Sequence, residues 1–189
     1  MDVARDTRSQ PRGHASRPGD FLAGNRAWTA AGVCLVAAVC FLKFGFGGEA
    51  LVSAVFAGVL VVLTAIDIER RIVPNRIVLP ATGVVLVGQL ALHSDRRLEF
   101  VLATVGAGAF LLLPKLVYPA GMGMGDVKLA MLLGAGLGSS VVAAFVVGLL
   151  AGFVAAVFLL VARGSAARKM AIPFVPFLAF GGLVALFLT

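Results

Sequence analysis

Three acidic residues stand where an otherwise apolar chain has little reason to keep them. Of nine Asp and Glu, Asp2, Asp6 and Asp20 precede the first apolar run, and Glu49, Asp95 and Glu99 lie in breaks between later runs. Asp67, Glu69 and Asp126 remain. Asp67 directly follows the unbroken run of residues 59–66, and Asp126 follows Gly121-Met122-Gly123-Met124-Gly125 and opens another apolar stretch. An ionisable group at a membrane boundary is costly and is a functional candidate by default. Each also has a plain structural reading: Asp126 as a helix N-cap, and Asp67 as a partner of Arg70 or Arg71. Two carboxyl groups sharing one site do more, because like charges at close range push their pKa values apart and divide the acid and base roles. Such a pair can activate water against a peptide carbonyl with no metal or cofactor. No Ser/His or Cys/His pair competes, since the two histidines are His14 and His93, and no cluster has metal-ligand spacing. The glycines at 123 and 125 let the backbone bend sharply and a substrate strand approach closely.

The elements that must carry these residues are membrane helices. Of 189 residues, 60% are apolar and 13% charged, with 23 Gly and 14 Phe. A soluble domain is nearer a quarter charged, so the composition excludes a soluble enzyme, a disordered chain and, despite the net charge of +7, a nucleic-acid binder. Apolar stretches near 27–46, 50–66, 77–93, 98–117, 127–138, 139–162 and 172–188 predict an all-α bundle of six or seven transmembrane helices. The fifth is short for a bilayer, which needs about 20 residues, and Gly134 to Gly138 is where it is expected to turn back.

Residues 1–26 form a basic tail with no apolar periodicity, and 27–189 form the membrane domain. The run after the tail is long enough to span and lacks a convincing small-x-small cleavage site, so it reads as a retained anchor. With the tail in the cytoplasm and the spans alternating, thirteen of the sixteen Lys and Arg fall on the cytoplasmic side, leaving Lys43, Arg96 and Arg97 outside. The positive-inside rule then fixes the orientation. Cys34 and Cys40 lie about 9 Å apart along one helix, too far for a disulfide, and are expected as buried thiols.

In this order and spacing the residues resemble the type IV prepilin peptidases, membrane aspartic proteases of the Gly-x-Gly-Asp class. Residues 67–75, Asp-Ile-Glu-Arg-Arg-Ile-Val-Pro-Asn, are similar to that family's first motif, and residues 123–129, Gly-Met-Gly-Asp-Val-Lys-Leu, to its second. Residues 172–181, Ile-Pro-Phe-Val-Pro-Phe-Leu-Ala-Phe-Gly, resemble a proline-phenylalanine segment opening the last span, with Val175 where glycine is usual. The resemblance covers most of residues 50–189. It implies cleavage of the basic leader of pilin or pseudopilin precursors at the cytoplasmic face of the bacterial membrane, with Asp67 and Asp126 as the catalytic pair and neither metal nor cofactor. Long members carry paired Cys-x-x-Cys motifs in a zinc-binding cytoplasmic segment associated with N-methylation. The chain resembles the short form without them, which implies peptidase activity alone.

Helix ends predict unequal roles. Asp126, at a helix N-terminus, is favoured as the carboxylate base; Asp67, at a helix C-terminus beside lipid, is favoured as the acid, with Arg70 and Arg71 working against that preference. Lys128 is expected to orient Asp126, to meet an acidic substrate group, or simply to snorkel. Glu69 is read as attracting the basic leader or as a solvated loop acid. Pro74 is expected to start the third span, while Pro173, Phe174 and Pro176 hold the last helix near the site. Two other readings are a proton- or cation-coupled transporter, which predicts polar groups at mid-membrane, and a presenilin-like protease, which pairs its motif with a Tyr-Asp element where this chain has Ile66-Asp67. The identity of the precursor and the oligomeric state are not legible.

Overall fold

Seven helices and one 3-10 turn follow one another along residues 26–118, 123–163 and 173–188, which this computed structural model describes. The helices are α1 (Arg26–Phe44), α2 (Gly48–Arg70), α3 (Asn75–Leu92), α4 (Arg97–Val117), α5 (Met124–Leu137), α6 (Val141–Arg163) and α7 (Val175–Leu188). The described residues contain no strand, so the expected all-α class holds. The tail before Arg26, Gly121 and Met122 of the glycine run, Ile172 and the basic residues Arg168 and Lys169 lie outside the described residues.

Helices α1 to α4 and the stretch Met124–Ala162 are each long and apolar enough to cross a membrane, while α7 is apolar but shorter. Large apolar side chains face outward, among them Leu102, Val105 and Leu113 of α4 and Val146, Phe153 and Phe158 of α6. Soluble monomers rarely expose apolar patches of this extent. The chain is a multi-pass membrane protein.

Helix α5 is the hub. Nearly every residue from Val127 to Leu137 is buried, and a helix that is apolar all round belongs in the middle of a bundle. Leu129, Leu132 and Leu133 join Phe56, Leu60 and Leu63 of α2, Val78 and Val85 of α3 and Leu178 of α7 in one core. Without a hydrophobic driving force between helices in lipid, close backbone approach supplies the packing, and small residues permit it. A Cβ on Gly134 would strike the Ala103 carbonyl of α4, and one on Gly181 would strike the Ala144 carbonyl of α6.

Two boundaries differ from expectation in ways that matter for the site. Helix α2 runs a turn beyond Ile66, to Arg70, so Asp67 lies inside its last turn. Helix α5 passes unbroken through Gly134 and Gly136; the chain turns later, at Gly138–Ser140, where Gly138 has φ +56°. Cys40 is buried as expected, whereas Cys34 is exposed on α1, because an apolar run facing lipid gives no cue to which side of a helix is covered.

Candidate active site

The last turn of α2, the α2–α3 connection, the first turn of α5 and the start of α7 meet at one end of the bundle around a cavity of about 520 Å³. Asp67, Arg71, Val73, Asn75, Gly123, Gly125, Asp126, Lys128, Pro173 and Phe174 are among its lining residues. Of the residues singled out from sequence, the fold therefore gathers Asp67, Asp126, Gly123, Gly125, Lys128, Pro173 and Phe174. Glu69 is exposed in the last turn of α2, Pro74 is the N-cap of α3, and Pro176 sits in the first turn of α7; these three are outside the lining.

Asp67 is 6% exposed. The Val175 backbone N–H, at the start of α7, donates to its carboxylate, while Oδ2 is buried with no partner among the described residues. Val175 thus meets Asp67 through a main-chain group, which the valine side chain does not impede. Pro176 follows in the first helical turn, where a missing N–H costs nothing.

Asp126 is fixed by its own loop. Its backbone N–H donates to the Gly123 carbonyl at 3.3 Å, and the Gly123 N–H donates back to Asp126 Oδ2 at 3.2 Å. This reciprocal pair resembles a capping box in which glycine supplies main-chain atoms only. The two carboxyl groups are close enough to repel one another, and the Lys115 ammonium at the end of α4 attracts Asp126. Sequence reasoning missed Lys115, which reads as an ordinary interfacial lysine in the last turn of a helix.

Lys128 lines the same cavity as Asp126. Its Nζ donates to Asn75 Oδ1, tying α5 to the start of α3. Asn75 therefore has a partner inside the second motif, although spacing alone assigned it no role. Glycine is sterically required at 125, where a Cβ would lie 2.8 Å from the Val73 side chain; at 123 the nearest atom would be 3.5 Å away.

A smaller polar cavity of about 180 Å³, lined by Glu49, Ser53, Gln89, His93 and Arg96 among others, lies away from this site. A larger groove of about 770 Å³ between α4 and α6 is lined by apolar groups apart from Glu99 and Ser139. Midway along the bundle, Thr82 and Thr104 donate to carbonyls of their own helices. Glu49, His93, Arg96 and Glu99 gather at the opposite end, where Glu99 accepts from the Ser139 N–H at 3.0 Å. Among the described residues no acid lies between the two ends, contrary to what the transporter reading predicts.

The sequence model of the type IV leader peptidase family matches residues 54–161, a range that includes Asp67 and Asp126. A relative from Xanthomonas campestris pv. campestris, named prepilin leader peptidase/N-methyltransferase, is 32% identical over 151 residues, covering 77% of this chain and 52% of the relative. A relative of the same name from Bacillus subtilis is 29% identical over 157 residues, covering 80% of this chain and 61% of the relative. The chain thus spans little more than half the length of the curated relatives it matches. No solved structure matches it significantly.

Proposed function

Since the chain belongs to the type IV leader peptidase family, we propose that it is an aspartic endopeptidase that cuts the leader from type IV pilin-like precursors. The observation that carries this reading is the convergence of Asp67 and Asp126, from helices distant in sequence, on one cavity at one end of the bundle. That end faces the cytoplasm of a bacterial cell in the orientation the basic residues favour. The aspartate pair supports the peptidase half of the relatives' double name.

In the proposed reaction Asp126 takes a proton from water as the water oxygen bonds to the scissile carbonyl carbon. Asp67 gives its proton to the carbonyl oxygen. In the collapse of the tetrahedral species one hydroxyl returns its proton to Asp67 as the C–N bond breaks, and the proton held by Asp126 passes to the departing amine. The assignment follows the geometry: Asp126 lies in the first turn of α5, where helix N–H groups favour negative charge. Asp67 keeps Oδ2 without a partner among the described residues, which suits an oxygen that carries a proton toward substrate.

The test is cleavage of a co-expressed pilin precursor, followed by gel shift, for wild type, Asp67→Asn and Asp126→Asn. The expected result is loss of cleavage in both variants with the protein still in the membrane, since each change removes a titratable group while keeping its shape. Cleavage surviving in either variant removes that residue from the mechanism.

A further inference from the structure

At the end of the bundle away from the two aspartates, the polar cavity of about 180 Å³ takes its polar lining from Glu49, Ser53, Gln89, His93, Arg96 and Ser140. Glu49 and Arg96 are exposed, so the cavity opens at the surface. Gln89 is only 8% exposed. Its Nε2 donates to the Gly136 carbonyl at 3.0 Å, satisfying one of the last carbonyls of α5. That bond fixes the amide, because turning it over would set Oε1 against a carbonyl oxygen. Oε1 is therefore an acceptor, and it is buried with no partner among the described residues. A buried acceptor without a donor is unfavourable, and such groups are ordinarily met by water or a ligand.

His93 repeats the pattern. Its Nε2 lies 3.5 Å from Glu49 Oε1, an arrangement that calls for the proton on Nε2 and leaves Nδ1 of the neutral ring as a lone pair. Nδ1 is likewise buried without a partner among the described residues, while the ring rests on Phe100 with centroids 5.5 Å apart. Glu49 stands in the first turn of α2, where helix N–H groups favour the carboxylate. The charges around the cavity are not evenly matched. Arg96 gives Nε and Nη2 to Glu99 at 2.8 and 2.7 Å, whereas Glu49 has only the long contact to His93 among the described residues. Three acceptors thus border one cavity, and one negative charge there lacks a close cation.

We propose that this cavity binds a primary ammonium group, carried by an aminophospholipid headgroup or by a free small amine. The three N–H donors of such a group match Gln89 Oε1, His93 Nδ1 and the Glu49 carboxylate, and its charge offsets that of Glu49. A metal ion fits less well. Hard cations take oxygen ligands, and among the described residues no group of three His, Cys, Asp or Glu stands ready for a softer one. The site is independent of the peptidase reading, since it and the aspartates lie at opposite ends of the bundle.

The test follows the thermal midpoint of the full chain in detergent with four probes: short-chain phosphatidylethanolamine, short-chain phosphatidylcholine, ethanolamine and choline. The choline pair keeps the positive charge but has no N–H to donate. At least one member of the ethanolamine pair is expected to raise the midpoint by about 3 °C, with its choline counterpart giving little or no shift. Protection by the lipid alone assigns the site to a headgroup, and protection by ethanolamine assigns it to an amine that needs no lipid. Protection by neither, or equal protection by the choline counterparts, overturns the proposal and leaves the cavity to water.

Concentration series give the affinities in variants. Glu49→Gln removes the charge, and His93→Phe removes Nδ1 while keeping a ring against Phe100. Each is expected to weaken binding about tenfold. Gln89→Leu also breaks the bond to α5, so Glu49→Gln, at an exposed position, is the deciding variant. Wild-type affinity and an unchanged preference for the ethanolamine pair in Glu49→Gln overturn the proposal.

Discussion

Gly125, beside Asp126, lies directly against Val73, so that a Cβ at 125 would stand 2.8 Å from both Cβ and Cγ2 of valine. The contact presses the α2–α3 connection onto the first turn of α5 and so links the segments that carry the two aspartates. Gly125→Ala is expected to cost about 1–3 kcal/mol of local packing and to reduce precursor cleavage at least tenfold. Val73→Gly in the same chain should restore part of it, as read by initial cleavage rates of the two single variants and the double variant. No recovery would mean that the steric account is wrong.

The Lys128–Asn75 hydrogen bond joins the same two segments at the rim of the cavity. Lys128→Met and Asn75→Leu should each slow cleavage severalfold, matching about 1 kcal/mol for one such bond. If the pair acts as a unit, the double variant is no slower than the slower single one. Multiplying effects in a double-mutant cycle of kcat/KM would show that the two residues act separately.

Lys115 attracts Asp126 from the end of α4. Lys115→Met should lower kcat by roughly tenfold, equivalent to about 1.4 kcal/mol, and Lys115→Arg should keep most of the activity. A methionine variant with wild-type kcat would exclude Lys115 from the site.

Packing in the hub can be tested apart from activity. A Cβ on Gly134 would run into the backbone of Ala103 and Thr104, which cannot rotate away, whereas a Cβ on Gly106 would meet nothing within 4 Å. Gly134→Ala should therefore lose about 1–3 kcal/mol, while Gly106→Ala should be neutral or gain up to about 1 kcal/mol from helix propensity. Thermal midpoints in detergent give the comparison, and similar values for the two would contradict the packing described.

The spans were legible because charged and glycine-rich breaks interrupt the apolar runs, and Asp67 and Asp126 stood out because lipid leaves few acids in place. The burial of Asp67 inside α2 was not legible: Asp-Ile-Glu-Arg after Ile66 reads equally well as loop or as a last helical turn. The central place of α5 was hidden for a different reason. In lipid a helix facing acyl chains and one facing other helices are both apolar, so periodicity does not distinguish the hub from α6. The same ambiguity placed Cys34 in the interior. Asn75 gains its role from Lys128, 53 residues further along the chain, and Lys115 from a carboxyl group across the α4–α5 connection; spacing reports neither.

Because α5 is held at one end by Gly125 on Val73 and reaches the turn that Glu99 grips at the other, it works as a ruler between the two ends of the bundle. Its 14 residues set both the depth and the azimuth of Asp126. Adding one residue within it would lengthen it by about 1.5 Å and rotate one end against the other by about 100°. Asp126 could then keep its place only if the far turn gave up its own. The length of this helix is as much a part of the site as the carboxyl group it carries.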